Sequence, residues 1–300
     1  RTLDGGTTYV SKTFSGSGTG AVESIAFAKG LDLWVGVTPA ATPLLTEGAI
    51  DAMGEAGADM VALSLDGPDA ARHDGFRGMH GSFERTLAAA RHLKQAGIPL
   101  QINTTVTSQT APDLPAVAER VRELSAVRWS VFFLVPVGRG RLLRSVSAGE
   151  SERLCQWLLD AGRQAPFQIK TTEAPHIRRL AIQRLLRAGR SADDIGRMPL
   201  ARAFGVRDGN GVMFVSSRGE IHPSGFLALP AGRVGEAPLG RTYREHPLFR
   251  ALRDPSAFHG RCGRCQFREV CGGSRARAFA ASGDPLGEDP LCPFVPAGVV

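Results

Sequence analysis

Four of the five cysteines of this 300-residue chain fall between residues 262 and 292, as Cys262, Cys265, Cys271 and Cys292 in a C-x2-C-x5-C-x20-C pattern. The rest of the chain holds only Cys155, and its start shows no charged segment followed by an apolar stretch. A disulfide framework therefore does not explain the cluster. Four thiolates in such a window read as ligands of zinc or of an iron–sulfur cluster. Cys262 and Cys265 supply two ligands from one turn through Gly263. Gly272 and Gly273 let the backbone bend sharply behind Cys271. Cys292, between Pro290 and Pro293, returns on a stiff extended segment. Cys155 lies in the helical pattern ESERLCQWLLD and reads as a small core residue.

Composition narrows the class. With 43% hydrophobic and 22% charged residues, the chain has enough apolar content to rule out disorder and to build a core without staples. The apolar run Val131–Val135 is far short of the roughly 20 residues of a membrane span, so no membrane association and a cytoplasmic location are expected. The net charge is +7, but only Lys12, Lys29, Lys94 and Lys170 are lysines. The arginines are spread along the chain rather than gathered, which favours a basic pocket for an anionic ligand over a nucleic-acid footprint.

Along the chain, strands are expected at 31–38, 59–65, 98–107, 127–135 and 167–172. Helices are expected at 46–56, 82–96 (Ser82 as N-cap, Gly97 as stop), 113–124 (opened by Asp113), 148–163 and 175–188. Alternation of near-continuous apolar strands with helices predicts parallel βαβ units, as a full or partial α/β barrel or a doubly wound sheet. In either fold, ligands sit at the C-terminal strand ends. Beyond a linker-like stretch near 190–205, residues 212–216 and 220–222 predict a hairpin.

Three stretches resemble a known family. They are VALSLDGPDAARHDGFRGMHGSFERTLAAARHLKQAGIPLQINTTVT (61–107), WSVFFLVPVGRG (129–140) and CGRCQFREVCGGSRARAFAASGDPLGEDPLCPF (262–294). Together they resemble radical S-adenosylmethionine (SAM) enzymes with a C-terminal SPASM or twitch domain, in the branch of the heme and heme d1 synthases and peptide-modifying enzymes. The resemblance implies an α/β fold with a partial (β/α)6 TIM-like barrel over 1–195 and a small iron–sulfur domain over 196–300. It implies a SAM-bound [4Fe–4S] cluster whose electron cleaves SAM to a 5′-deoxyadenosyl radical, and an external donor such as a flavodoxin or ferredoxin. The substrate class it implies is a tetrapyrrole or a peptide. Cys262, Cys265, Cys271 and Cys292 would hold one auxiliary [4Fe–4S] cluster. The hairpin segment Ile221–Phe226 carries no cysteine for a second.

The chain departs from the family pattern because no cysteine precedes Cys155, whereas the family's C-x3-C-x2-C loop follows the first strand. Asp4-Gly5-Gly6-Thr7 is a candidate remnant of the glycine-rich SAM segment. The expectation is a missing N-terminal segment on the order of 60 residues, at about 30 per βα unit, and a chain that by itself does not cleave SAM. A non-catalytic iron–sulfur or zinc protein acting as a partner or binding module is the alternative.

By resemblance, Ser64 and Asp66 at one strand end and Asn103 and Thr105 at the next line the SAM site; a turn cap and ordinary sheet polarity are the bland counterparts. Glu173 and His176 are candidates for proton transfer near substrate, against a surface helix start. Arg275 and Arg277 either offset thiolate charge or form a solvated helix face. Arg85, Arg139, Arg141 and His222 read as ordinary helix, loop and hairpin residues.

Overall fold

The computed structural model of the chain describes residues 9–12, 25–28, 36–198, 200 and 207–296. Residues 31–35 of the expected first strand, and Asp4–Thr7, lie outside the described residues. The chain divides into two compact units. One runs to Thr105 and includes 112–131 and 165–170; the other comprises 106–111, 132–164 and Thr171 onward.

The first unit carries a short antiparallel pair, β1 (Tyr9–Lys12) and β2 (Ile25–Ala28), and the body of a five-stranded parallel sheet. Its strands are β3 (Gly36–Val37), β4 (Met60–Ser64), β5 (Leu100–Val106), β6 (Arg128–Phe133) and β7 (Gln168–Thr172), neighbouring one another in chain order. Such sequential parallel order is that of a partial barrel wall. Helices α1 (Glu47–Glu55), α2 (Ala70–Arg77), α3 (Ser82–Gln95), α4 (Leu114–Glu123) and α5 (Ala148–Gln164) connect the strands.

Helix α2 falls in a stretch for which no element was expected. Asp69 caps it by accepting from the Arg72 N–H at 2.9 Å. The caps at the next two helices also differ from expectation. Ser82 begins α3 but does not cap it. The carboxylate of Asp74, from α2, accepts from Gly81 N (2.6 Å), Phe83 N (2.7 Å) and Ser82 Oγ (3.2 Å). Burial opposes its charge, but these donors hold the Asp74 carboxyl below the usual carboxylate range. Asp113 precedes α4 without capping it, because its carboxylate is 2.6 Å from Arg72 Nε.

Strand β5 alternates, with Leu100, Ile102, Thr104 and Val106 buried and Gln101, Asn103 and Thr105 half-buried on the opposite face. The sheet is thus apolar toward its helices and polar on the other side. One buried polar relay crosses three strands. Trp129 Nε1 donates to Thr104 Oγ1 at 2.8 Å, and that hydroxyl donates to Leu65 O at 2.7 Å.

In the second unit follow α6 (His176–Arg187), α7 (Ala192–Arg197) and the hairpin β8 (Phe214–Val215) with β9 (Ile221–His222), paired Phe214↔His222. After these come α8 (Leu239–Glu245), α9 (Pro247–Arg253), α10 (Gly260–Gly263) and α11 (Arg275–Ser282). Its apolar packing is distributed over small clusters, such as Val135, Leu227, Leu252 and Ala276. Among the described residues no helix is long and apolar enough to cross a membrane.

Thr104→Val keeps the side chain's shape but removes both relay bonds. It is expected to lower unfolding free energy by about 1–3 kcal/mol, measured by urea denaturation. An unchanged midpoint would show that the relay contributes nothing.

Candidate functional site

Residues singled out from the sequence occupy two places, one in each unit. In the first unit, Ser64 closes β4 opposite Asn103 of β5, and Thr105 follows on the same face of β5 as Asn103. Ser64, Asn103 and Thr105 are half-buried, and Asn103 Oδ1 accepts from Gln101 Nε2 at 2.7 Å. Asp66 differs: it is 1% exposed. Its carboxylate accepts from Thr105 N at 2.7 Å and pairs with Arg77 at 3.2 Å. Its own N–H donates to Nδ1 of buried His73 at 3.0 Å. Asp66 therefore locks the end of β4 to β5 and sets the spacing of Ser64, Asn103 and Thr105. Nothing in the sequence spacing signalled the His73 contact. Arg85 donates to the Ala41 and His80 carbonyls.

The second place is the four-cysteine loop system, and all four thiols line one cavity. Cys262 sits in α10, Cys265 in the following turn, Cys271 just before the glycine pair, and Cys292 near the chain's end. Each sulfur receives a backbone N–H. Asp289 N donates to Cys262 Sγ and Phe267 N to Cys265 Sγ, both at 3.4 Å. Gly273 N and Phe294 N serve Cys271 and Cys292. Burial pushes the Cys265, Cys271 and Cys292 thiols up, against these donors. Deprotonation must accompany metal loading, so loading releases protons.

Among the described residues no three His, Cys, Asp or Glu side chains converge as a single metal ion requires. The thiols instead stand around the walls of the cavity, and the donor set, soft sulfur with N–H groups aimed at it, fits an iron–sulfur cluster.

Arginines surround this cavity. Arg179 pairs through both terminal nitrogens with Glu152, lies 3.9 Å from Cys292 Sγ and stacks 4.9 Å from the centre of the Phe294 ring. Arg275 and Arg277 are 0% and 2% exposed, which excludes the solvated helix face. Arg275 donates to Cys262 Sγ at 3.5 Å. Arg277 donates to both oxygens of Asp289 at 3.0 Å. Asp208 is buried and accepts from the Ser224 hydroxyl and from Ala276 N at the start of α11. No pattern in the sequence signals the burial of Arg179, Asp208 and Asp289 here.

Glu173 and His176 stand at the end of β7. Glu173 adopts a left-handed backbone, φ 59°, unusual for a residue with a side chain. Its carboxyl accepts from Ser274 Oγ. Burial and the nearby Asp208 push that carboxyl up to about 8, against Ser274 and Arg277. His176 is not at the surface. It is fully buried, with Nε2 2.9 Å from Ser151 Oγ and 3.4 Å from Cys155 Sγ, edge-on to Phe133. Burial drives the imidazole down to about 4, with Asp289 pulling the other way. Cys155 is buried as expected. Arg139 and Arg141 lie in a short 3-10 turn, and His222 packs against Phe214 on the hairpin.

A histidine with a depressed folded-state value stabilises the fold fully above 6.5 and progressively less as pH falls toward 4. The difference in unfolding free energy between wild type and His176→Gln is expected to shrink over that window, by ~3 kcal/mol in all. Urea titrations at several pH values read it; a pH-independent difference would contradict the buried neutral imidazole.

No family model matches the chain. It is 40% identical over 253 residues to the AdoMet-dependent heme synthase of Methanosarcina barkeri, covering 84% of this chain and 72% of that protein. With the AdoMet-dependent heme synthase of Nitratidesulfovibrio vulgaris it shares 37% identity over 278 residues, 91% of this chain and 75% of the relative. Among solved structures, Streptococcus suis SuiB bound to precursor peptide SuiA aligns with a TM-score of 0.64 at 18% identity, over 86% of this chain and 58% of SuiB. At that identity the likeness is one of fold. The sequence identities, with the parallel sheet, place the chain in the radical SAM family with a C-terminal SPASM/twitch domain, in the branch of the AdoMet-dependent heme synthases.

Proposed function

We propose that this chain is the SAM-binding and auxiliary-cluster portion of a radical SAM oxidoreductase acting on a tetrapyrrole. The observation that carries the reading is four thiols around one cavity, each with an N–H aimed at its sulfur. The chain's likeness to proteins named AdoMet-dependent heme synthases supports it. Residues 1–195 form the SAM-binding domain and 196–300 the cluster domain. Cys262, Cys265, Cys271 and Cys292 hold one auxiliary [4Fe–4S] cluster, the arginines around it offset its charge, and an external one-electron carrier feeds the system.

When bound and reductively cleaved, SAM supplies hydrogen-atom abstraction from substrate. The polar face made by Ser64, Asn103 and Thr105 binds its ribose and amino-acid end, with Asp66 fixing their spacing. Glu173, held neutral near pH 7, donates a hydrogen bond to a substrate carboxylate or holds a proton there. His176 is enclosed and serves packing rather than proton transfer.

Anaerobic reconstitution is expected to give about four irons and four sulfides per chain, lost in Cys271→Ala. One zinc and no iron would overturn the cluster reading. No cysteine precedes Cys155, and Cys155 is buried. The 300-residue chain with dithionite and SAM is therefore expected to give no 5′-deoxyadenosine above background, measured by chromatography. Clear turnover would show that the electron reaches SAM by another route.

A further inference from the structure

The second unit buries two arginines that have no ion-pair partner among the described residues. Arg275 is 0% exposed, yet its contacts are the carbonyls of Gly273 (3.3 Å), Pro285 (3.1 Å) and Gly287 (2.5 Å), and Cys262 Sγ at 3.5 Å. Arg207 is 7% exposed, donates from Nη1 to Cys271 O at 3.3 Å, and among the described residues has no partner for Nε or Nη2. Among the described residues neither has a carboxylate at ion-pair distance. Both guanidiniums lie over the ring of Phe258, 5.4 Å and 4.7 Å from its centre, so two like charges share one aromatic support.

The backbone makes room for them. A Cβ on Gly272 would stand 2.2 Å from Arg207 Nη1, and one on Gly273 2.5 Å from Arg275 Nη2. The Cys271-Gly272-Gly273 sequence thus does more than bend the chain behind a ligand: it admits two cations beside the thiols. Burying a cation without a counter-charge is strongly unfavourable. The sulfur beside Arg275 is that of Cys262, and the carbonyl that Arg207 grips belongs to Cys271.

We propose that Arg207 and Arg275 are the paired counter-cations of the group held by the four cysteines, and that they raise its reduction potential. The inference rests on the cluster reading above. A [4Fe–4S] core with four thiolates carries a net charge of about −2, which the two guanidiniums, neither of them in an ion pair among the described residues, match. One-electron reduction adds a further negative charge that the same cations stabilise, so the reduced state gains more from them than the oxidised state. Net charge and hydrogen bonds to sulfur are the terms that set such potentials. Arg179 differs, because Glu152 already neutralises it.

The test is potentiometry with electron paramagnetic resonance on the reconstituted 300-residue chain, with iron and zinc measured first. Arg207→Gln and Arg275→Gln are each expected to lower the midpoint, by about tenfold or more in the reduction equilibrium, ~59 mV per tenfold for one electron. Arg275→Lys, which keeps the charge, is expected to stay nearer wild type. Arg241→Gln, on an exposed helix arginine, is expected to move nothing. If the Gln variants fail to retain iron while the Lys variants at both positions retain it, charge compensation is supported. Loss of iron in Gln and Lys variants alike would make the role one of packing and overturn the proposal. Full iron with an unmoved potential would overturn it too, while leaving the cluster reading intact. Zinc without iron in the wild type would defeat both.

Discussion

The second unit is organised by one buried ion pair. Arg277 donates to both oxygens of Asp289, to Leu134 O beyond β6 (3.3 Å) and to Glu173 O beyond β7 (2.5 Å). Asp289 in turn accepts from Ser274 N and Leu291 N, and its own N–H reaches Cys262 Sγ. A single guanidinium thereby ties two strand ends to the segment that carries Cys292. With side chains 3% and 0% exposed, removing either partner would strand the other in a low-dielectric interior, a loss of about 3–5 kcal/mol. Burial alone would protonate Asp289, yet Arg277, His176 and the two N–H groups hold it below the usual carboxylate range.

That pair also explains why the polar residues between β7 and α11 differ so much in behaviour. Asp289 keeps its charge because Arg277 is in direct contact with it. Glu173 meets the same arginine only through its main-chain oxygen, with Ser274 as the donor to its carboxyl, and so its proton is held to about 8. His176, fully buried, is driven the other way by that burial, with Asp289 pulling against it. Direct contact with the guanidinium thus holds the Asp289 carboxyl down, while burial pushes the Glu173 carboxyl up and the His176 imidazole down.

Much of this was legible in the sequence, for identifiable reasons. The C-x2-C-x5-C-x20-C spacing is a covalent fact that folding preserves, and the four thiols do share a cavity. Strands β4 to β7 and helices α3 to α5 follow hydrophobic periodicity, which burial enforces. The caps were less legible, because Asp74 caps α3 across a gap of seven residues or more, beyond the local pattern of capping boxes. For Arg275 and Arg277 the sequence left a role beside the thiols open against a solvated helix face, and the burial of Arg179 and Arg207 was not legible at all. Periodicity treats arginine as a surface residue, and only the fold shows which arginines have thiols, carboxylates or aromatic rings to face.

Arginine is also where the chain's composition acquires a structural meaning. A net charge of +7 looks like a surface property, yet several of its cations are interior, on a unit that gathers four thiols. Lysine could carry the charge there but would hold it less firmly. Its ammonium is compact and strongly hydrated, and it loses its proton readily when buried, whereas guanidinium stays charged and stacks on aromatic faces while bonding several carbonyls at once. Arg275 does all of this together, with Phe258 beneath it, three carbonyls around it and a cysteine sulfur at its edge. The same geometry requires Gly273 to lack a side chain. The choice of arginine at 275 and the glycine at 273 thus answer to the same close packing, a guanidinium set against carbonyls, an aromatic ring and a cysteine sulfur.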